Sequence, residues 1–203
     1  MTEEREYSAR RFAVGAISCP ACKAKLEREV KWCPSCGFTG SKTLEMFGDD
    51  PPPLLPILDV ADIWDEKDQR AITAAVARFN RRFPQIRWRI CGVTLGAEMS
   101  LPLFGFWLLN ASPLAEGETA DDRSWTVLLL VDAATRRTSV TAGYRAEVWI
   151  SDDMWERALA QSKELFRAGN PGLAVSAFIK ASCALYEKAW HRSRKQLSPP
   201  SYS

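Results

Sequence analysis

Four cysteines stand in one short run, "CPACKAKLEREVKWCPSC", from Cys19 to Cys36. The spacing is Cys-x2-Cys, ten residues, then Cys-x2-Cys. A two-residue gap lets both thiolates of a pair reach one ion at about 2.3 Å, and two such pairs complete a tetrahedral S4 site suited to zinc. Pro20 and Pro34 follow the first cysteine of each pair and Gly37 follows the second pair, so each pair reads as a short turn. Two other uses of thiols fit less well. A thioredoxin-type pair sits between a strand and a helix and has no need of a second copy. A disulfide framework requires an oxidising compartment. The spacing therefore predicts Cys19, Cys22, Cys33 and Cys36 as zinc ligands with no open coordination position, a structural centre rather than a catalytic one. About thirty residues cannot bury enough apolar surface to fold unaided, so metal binding is expected to supply their folding free energy.

Nucleophile-and-base catalysis has little to work with elsewhere. The only histidine, His191, lies at the start of a polar tail, and no Gly-x-Gly-x-x-Gly or phosphate loop occurs. Cys91 falls in a strand-like segment and Cys183 in a helix-like one, and both read as small buried residues. The stretch "RFNRRFPQIRWR" has the residue types that stack bases and pair phosphates. Its aromatics, however, occupy a helical core stripe or a strand face, and its arginines a helix end where cations complement the dipole. Arg10, Arg11, Lys23, Lys25 and Lys31 keep a nucleic-acid reading alive for the cysteine-rich segment, diluted by Glu27 and Glu29. Carboxylates gather near predicted element ends: Asp59 with Asp62, Asp121 with Asp122, Asp152 with Asp153. Converging, they could bind calcium or magnesium; apart, they cap helices and solvate loops.

The elements that would position these residues follow from pattern. At 203 residues the chain has room for one ordinary domain and a small appendage. Its 46% hydrophobic and 26% charged content is globular, and a net charge of +2 offers no broad field for nucleic acid or anionic membrane. The charged N-terminus "MTEEREYSARRF" is no secretory signal, and the longest apolar run, Leu101 to Leu109, is too short to span a bilayer. A cytoplasmic protein with no membrane span is expected, where reducing conditions keep thiols available. Residues 9–40 form the predicted zinc ribbon, with strands over Arg11 to Ile17 and Leu26 to Trp32. Residues 41–56, with Pro51 to Pro53, read as a Pro-rich linker.

A larger domain follows over 57–190, then a disordered tail over 191–203. Asp65 caps a helix whose Ile72, Val76, Phe79 and Phe83 form one stripe, and Pro84 ends it. Gln85 to Thr94 alternates as a strand, and Ser100 to Asn110 opens with a capping serine and an early proline. Trp125 to Asp132 is apolar on both faces, as a central strand is, and Thr135 to Arg137 turns it into an antiparallel partner. Ser151 caps a helix closed by Gly169, and a last helix runs from Asn170 to about Trp190. The order βαβαββαα predicts an α/β (α+β) fold: a small mixed β-sheet sandwiched by helices, preceded by the ribbon.

"LDVADIW" resembles the Val-x-Asp-x-Ala-x-x-Leu opening of TPM domains, and "FPQIRWRICGVTL", "FGFWLLN", "WTVLLLVD" and "VTAGYRAEVWISDD" follow in that family's order. The resemblance covers about residues 57–190, and "AGYRAE", similar to the family's Gly-Tyr-Gly-Leu-Glu, and "FWLLN" are its most specific pieces. It implies a small mixed sheet between helices, and an acidic site of the kind described in members as calcium-binding or acid-phosphatase-like. On that resemblance Asp59 takes the opening aspartate, Tyr144 the tyrosine of Gly-Tyr-Gly, and Asp152 falls near the following acidic position. Two matches fail: the family's Asp-Asn-Gly before the central strand is Ser124-Trp125-Thr126, and the second glycine of Gly-Tyr-Gly is Arg145. The first change removes a carboxylate and the second adds a cation, and both argue against bound Ca2+ or Mg2+.

The expected function is a binding or scaffold module, with a structural Zn2+, a degenerate acidic site and a protein partner engaged through the ribbon. The alternatives are a divalent-metal-dependent, acid-phosphatase-like hydrolase using Asp59, Asp152 and Asp122, with Tyr144 and Arg145 as further catalytic candidates, and a nucleic-acid- or protein-binding ribbon adaptor.

Overall fold

A computed structural model describes residues 17–26 and 30–197. In chain order these hold β1 (Ile17–Ser18), β2 (Lys25–Leu26), α1 (Ser41–Phe47), β3 (Ile57–Asp59), α2 (Glu66–Asn80), β4 (Arg87–Val93) and α3 (Leu101–Ala111). Then come α4 (Ala120–Ser124), β5 (Thr126–Asp132), β6 (Arg137–Ala142), α5 (Tyr144–Glu147), α6 (Asp152–Arg167) and α7 (Pro171–Leu197). From β3 onward the major elements follow the expected βαβαββαα order, with the short helices α4 and α5 added. The fold is mixed α/β. The chain divides into two compact units, one within residues 1–63 and 85–148, the other within 64–84 and 149–203.

The first unit is built on a four-stranded sheet of order β3-β4-β5-β6. β5 is buried at every position, which is why its sequence is apolar without alternation. β4 runs parallel beside it, from Arg87 opposite Thr126 to Val93 opposite Asp132, and β3 runs parallel to β4. β6 returns antiparallel through a turn in which Arg136 takes a left-handed conformation, φ 55°. Asp132, wholly buried at the end of β5, accepts N–H bonds from Leu95 and Ala134 at 3.0 and 3.2 Å, so it ties the loop after β4 to this turn.

Helix α3 lies over this sheet. Ser100 caps it by accepting the Leu103 N–H, and Pro102 occupies its first turn. Leu101, Trp107, Leu108 and Leu109 share a core with Cys91 and Val93 of β4 and Leu128 and Leu130 of β5. A side chain at Gly105 would run into Thr141 and Leu130, so a glycine is what brings the helix this close to β5 and β6.

Residues 41–56, expected as an extended linker, are a strap on α3. Ser41–Phe47 is helical, the Phe47 ring lies 5.3 Å from Phe104 and 5.5 Å from Trp107, and the Trp107 indole donates to the Gly48 carbonyl at 2.8 Å. Leu54 is buried in the same core. Gly48, at φ 90°, ends the helix before the prolines are reached, and apolar burial decides the path of the chain.

The second unit is a group of three helices. Asp65 caps α2 by accepting the Asp68 N–H at 2.7 Å, and Ile72, Ala75 and Phe79 are buried along it. Tyr186 of α7 gathers the rings: Phe79 and Phe83 each at 5.6 Å and Trp155 of α6 at 6.0 Å. Helix α7 continues to Leu197, past the expected end near Trp190, and residues 198–203 of the expected tail lie outside the described residues.

The C-terminus of α3 leaves carbonyls without helical partners, and Arg123 satisfies them. Its Nη1 donates to the carbonyls of Leu109 and Ser112 at 2.9 and 3.2 Å and its Nη2 to Pro113 at 3.0 Å. The guanidinium also forks onto both carboxylate oxygens of Glu118, at 3.1 and 2.8 Å. Burial pushes the Glu118 carboxyl upward, but the Arg123 bonds and the Ala115 N–H hold it below its ordinary value. Arg123→Met should therefore lower unfolding stability by about 2–4 kcal/mol in a urea titration, since it leaves the carbonyls of Leu109, Ser112 and Pro113 without their donor and Glu118 to the Arg89 guanidinium at 3.7 Å. The lowered Glu118 value means its contribution is present above the unfolded-state pKa and is lost as pH falls through the folded-state one. Glu118→Gln should flatten that part of the acid limb of a stability–pH curve.

Candidate metal centre

Two turns of one design hold the cysteines. In the first, Cys19 N–H donates to the Ala24 carbonyl at 2.8 Å and Lys23 N–H to the Cys19 carbonyl at 2.9 Å. In the second, Cys33 N–H donates to Phe38 and Gly37 N–H to Cys33, both at 2.8 Å. Each turn requires a left-handed residue directly after its second cysteine: Lys23 at φ 62° and Gly37 at φ 67°. Glycine takes this conformation freely, whereas lysine does so at about 1–2 kcal/mol. The pairing of β1 with β2, Ile17 opposite Leu26, closes the first turn. Of the rest of the expected strands, residues 11–16 and 27–29 lie outside the described residues, while Val30, Lys31 and Trp32, expected to be strand, are irregular backbone leading into the second turn.

The four Sγ atoms lie within 4.8 Å of one another, with Cys19 to Cys36 at 3.8 Å and Cys22 to Cys33 at 3.6 Å. Sulfurs placed tetrahedrally about 2.3 Å from one ion stand about 3.8 Å apart, so the donor set fits such an ion. Each turn supplies one buried thiol, Cys19 or Cys33, and one exposed thiol, Cys22 or Cys36. Burial pushes the Cys19 thiol up to about 12. At Cys33 burial acts the same way, but N–H groups of Cys36 and Ser35 outweigh it and bring the thiol down to about 6. A cation at the centre would favour thiolate at every position.

This small body rests on α3. Cys19, Leu26, Cys33 and Phe38 form its core, with Leu103 and Phe106 of α3 packed against it. The Phe38 and Phe106 rings meet edge to face at 5.6 Å, and the Ser18 N–H donates to Glu147 at 3.2 Å. Sequence pattern marked the cysteines but not this seat, because an apolar α3 residue reads the same against a sheet or against a ribbon.

The acidic candidates are placed differently. Asp59 ends β3 and accepts the Ile63 N–H at 3.0 Å, while Asp152 begins α6 in the second unit. Asp122 forms a capping box with Thr119 and receives Arg87 Nε at 2.9 Å; the Thr119 N–H is the main cause bringing its carboxyl down to about 2. Tyr144 begins α5, and Arg145 beside it pairs with Asp121 at 2.9 Å and lies 5.9 Å over the Trp125 ring. Among the described residues, the only group of three or more Cys, His, Asp or Glu able to surround one ion is the cysteine quartet.

No family model matches the chain, and no curated protein matches it. Solved structures do. The NMR structure of the BA42 protein from the psychrophilic bacterium Bizionia argentinensis aligns with TM-score 0.50 at 13% identity, over 64% of this chain and 86% of that one. The solution structure of the N-terminal domain of a protein from P. gingivalis aligns with TM-score 0.50 at 14% identity, over 76% and 94%. At such identities the likeness is one of fold alone.

The two cysteines outside the quartet, both expected to be buried, differ in setting: Cys91 is buried and Cys183 only partly so. Cys91 is 1% exposed, and burial, then the charge of Asp59, pushes its thiol up to about 12. At neutral pH Cys91 should react with a thiol reagent no faster than the protein unfolds. Mass-spectrometric labelling that found Cys91 modified within seconds in the native protein would show instead a strand that opens.

Proposed function

We propose that this chain is a non-catalytic binding module, in which a zinc ribbon held by Cys19, Cys22, Cys33 and Cys36 is seated on a domain that resembles TPM domains and whose acidic site is degenerate. The observation that carries this reading is the convergence of four thiols on one point, with no other such group among the described residues. Four sulfur ligands fill the coordination of zinc, so the ion would hold the fold and offer no position for substrate or water.

The degeneracy has support from the same unit. The two positions at which the chain departs from the TPM pattern meet each other: Trp125, within the replaced Asp-Asn-Gly, and Arg145, in place of the second glycine. Arg145 also takes the Asp121 carboxylate, and Asp122 is engaged by Thr119 and Arg87. Asp59, in register with Gly92 and Val131, lies at the other end of the sheet from Asp121, Asp122 and Arg145, so these carboxylates do not converge on one ion. The partner we favour is a protein that meets the ribbon, where Trp32 is 60% exposed, and the setting we favour is the reducing cytoplasm.

Elemental analysis of the purified chain should find one zinc, and Cys22→Ser should abolish it. Because the ribbon covers Leu103 and Phe106, loss of zinc should also lower the melting temperature of the remaining fold by roughly 4–10 °C. Phosphate monoesters should not be hydrolysed with calcium or magnesium present. A folded chain free of metal, a Cys19–Cys36 disulfide, or hydrolysis lost in Asp59→Asn would each overturn the proposal.

A further inference from the structure

Four guanidiniums and three carboxylates of the first unit gather where β4 and β5 begin. Arg145 pairs with Asp121 at 2.9 Å, Arg87 forks onto Asp122, and Arg123 forks onto Glu118. Arg89 is the remainder. Its nearest carboxylate is Glu118 at 3.7 Å, whose two oxygens already accept from Arg123. Its Nη1 donates to the Trp88 carbonyl at 3.2 Å, and its Nε, sealed from solvent, has no acceptor among the described residues. Only 13% of the side chain is exposed.

A guanidinium this deep that shares its one carboxylate with Arg123 leaves a positive charge in excess, an unfavourable arrangement. Burial weakens its hold on the proton; Glu118 offsets this, while Arg123 and Arg87 add to it. A water could satisfy the Nε but not the charge. An oxyanion satisfies both. Arg87 stands two residues away on the same side of β4, about 7 Å along the strand. It is 45% exposed, and its Nη1 carries no hydrogen bond among the described residues. One donor group is thus largely buried and the other reaches the surface. Planar forks of this kind suit an anion with three or more oxygens.

We propose that Arg89 and Arg87, backed by Arg123, bind an oxyanion of the phosphate class, either free phosphate or a phosphate monoester. The site is separate from the cysteine quartet and needs no hydrolysis, so it stands or falls independently of the zinc reading.

Calorimetry on the full chain, at constant ionic strength set with chloride, tests it with inorganic phosphate and with phenyl phosphate as probes. A dissociation constant of about 1 mM or tighter is expected for phosphate, with a melting temperature raised by roughly 3–5 °C at tenfold excess over that constant. Binding of phenyl phosphate as well would identify an ester as an acceptable ligand, whereas binding of phosphate alone would identify the free ion; both support the site. Arg89→Met should lose the phosphate response and melt no lower than the wild type without phosphate, since Glu118 keeps its closer partner Arg123 and the charge removed is the one in excess. Should that variant fail to fold, Arg87→Met, altered at a half-exposed position, should weaken phosphate binding at least roughly fivefold, a loss of about 1 kcal/mol. A wild-type response to phosphate no greater than to added chloride would overturn the proposal, as would unchanged affinity in Arg87→Met.

Discussion

Helix α3 is apolar nearly all round, and covering it is the constraint under which the first unit is built. Leu101, Leu108 and Leu109 take the sheet, Phe104 and Trp107 take α1, and Leu103 and Phe106 take the ribbon. A helix of this composition left with one bare side would be an aggregation surface. The ribbon therefore acts as the third wall of a core that the sheet and α1 leave open. That couples the thiol centre to the sheet through packing rather than through a tether. The Arg123 guanidinium completes the arrangement at the helix end, where apolar cover would leave carbonyls unsatisfied.

The two cysteine turns show how local chemistry and long-range packing divide the work. Their hydrogen bonds, proline positions and spacing are alike, yet one places glycine and the other lysine in the left-handed position. The second turn is thus the less strained half. Its Phe38 is also the residue that reaches α3. Within the centre, burial pushes the Cys19 thiol up, whereas at Cys33 N–H donors outweigh burial and bring the thiol down.

Much of this was legible in sequence wherever a short-range rule sufficed. Cys-x2-Cys spacing marks the quartet, unbroken apolarity marks β5, and Asp65 and Ser100 mark helix starts by the bonds their side chains make three residues on. What escaped depended on distant partners. Seven residues from Ser41 looked like linker because their reason to be helical lies in Phe104 and Trp107, far along the chain. Nothing in the spacing of Arg123, Glu118 and Arg89 says that two guanidiniums crowd one buried carboxylate. Asp132 was counted as the end of a strand, although its burial beneath two N–H groups makes it the fastening of two loops.

The chain passes between its two units three times, at residues 63–64, 84–85 and 148–149, so neither unit is a continuous segment. Synthesis from the N-terminus therefore delivers α2 before any of its helical partners exist. The buried stripe of Ile72, Ala75 and Phe79 leaves the ribosome early, while Phe178 and Tyr186 arrive only after the whole sheet has been made. The sheet unit has all its described strands once β6 is out, and it can settle while α2 still waits uncovered. That interval is the one in which a nascent chain of this design is most exposed to misassembly and most in need of a chaperone that shelters an amphipathic helix.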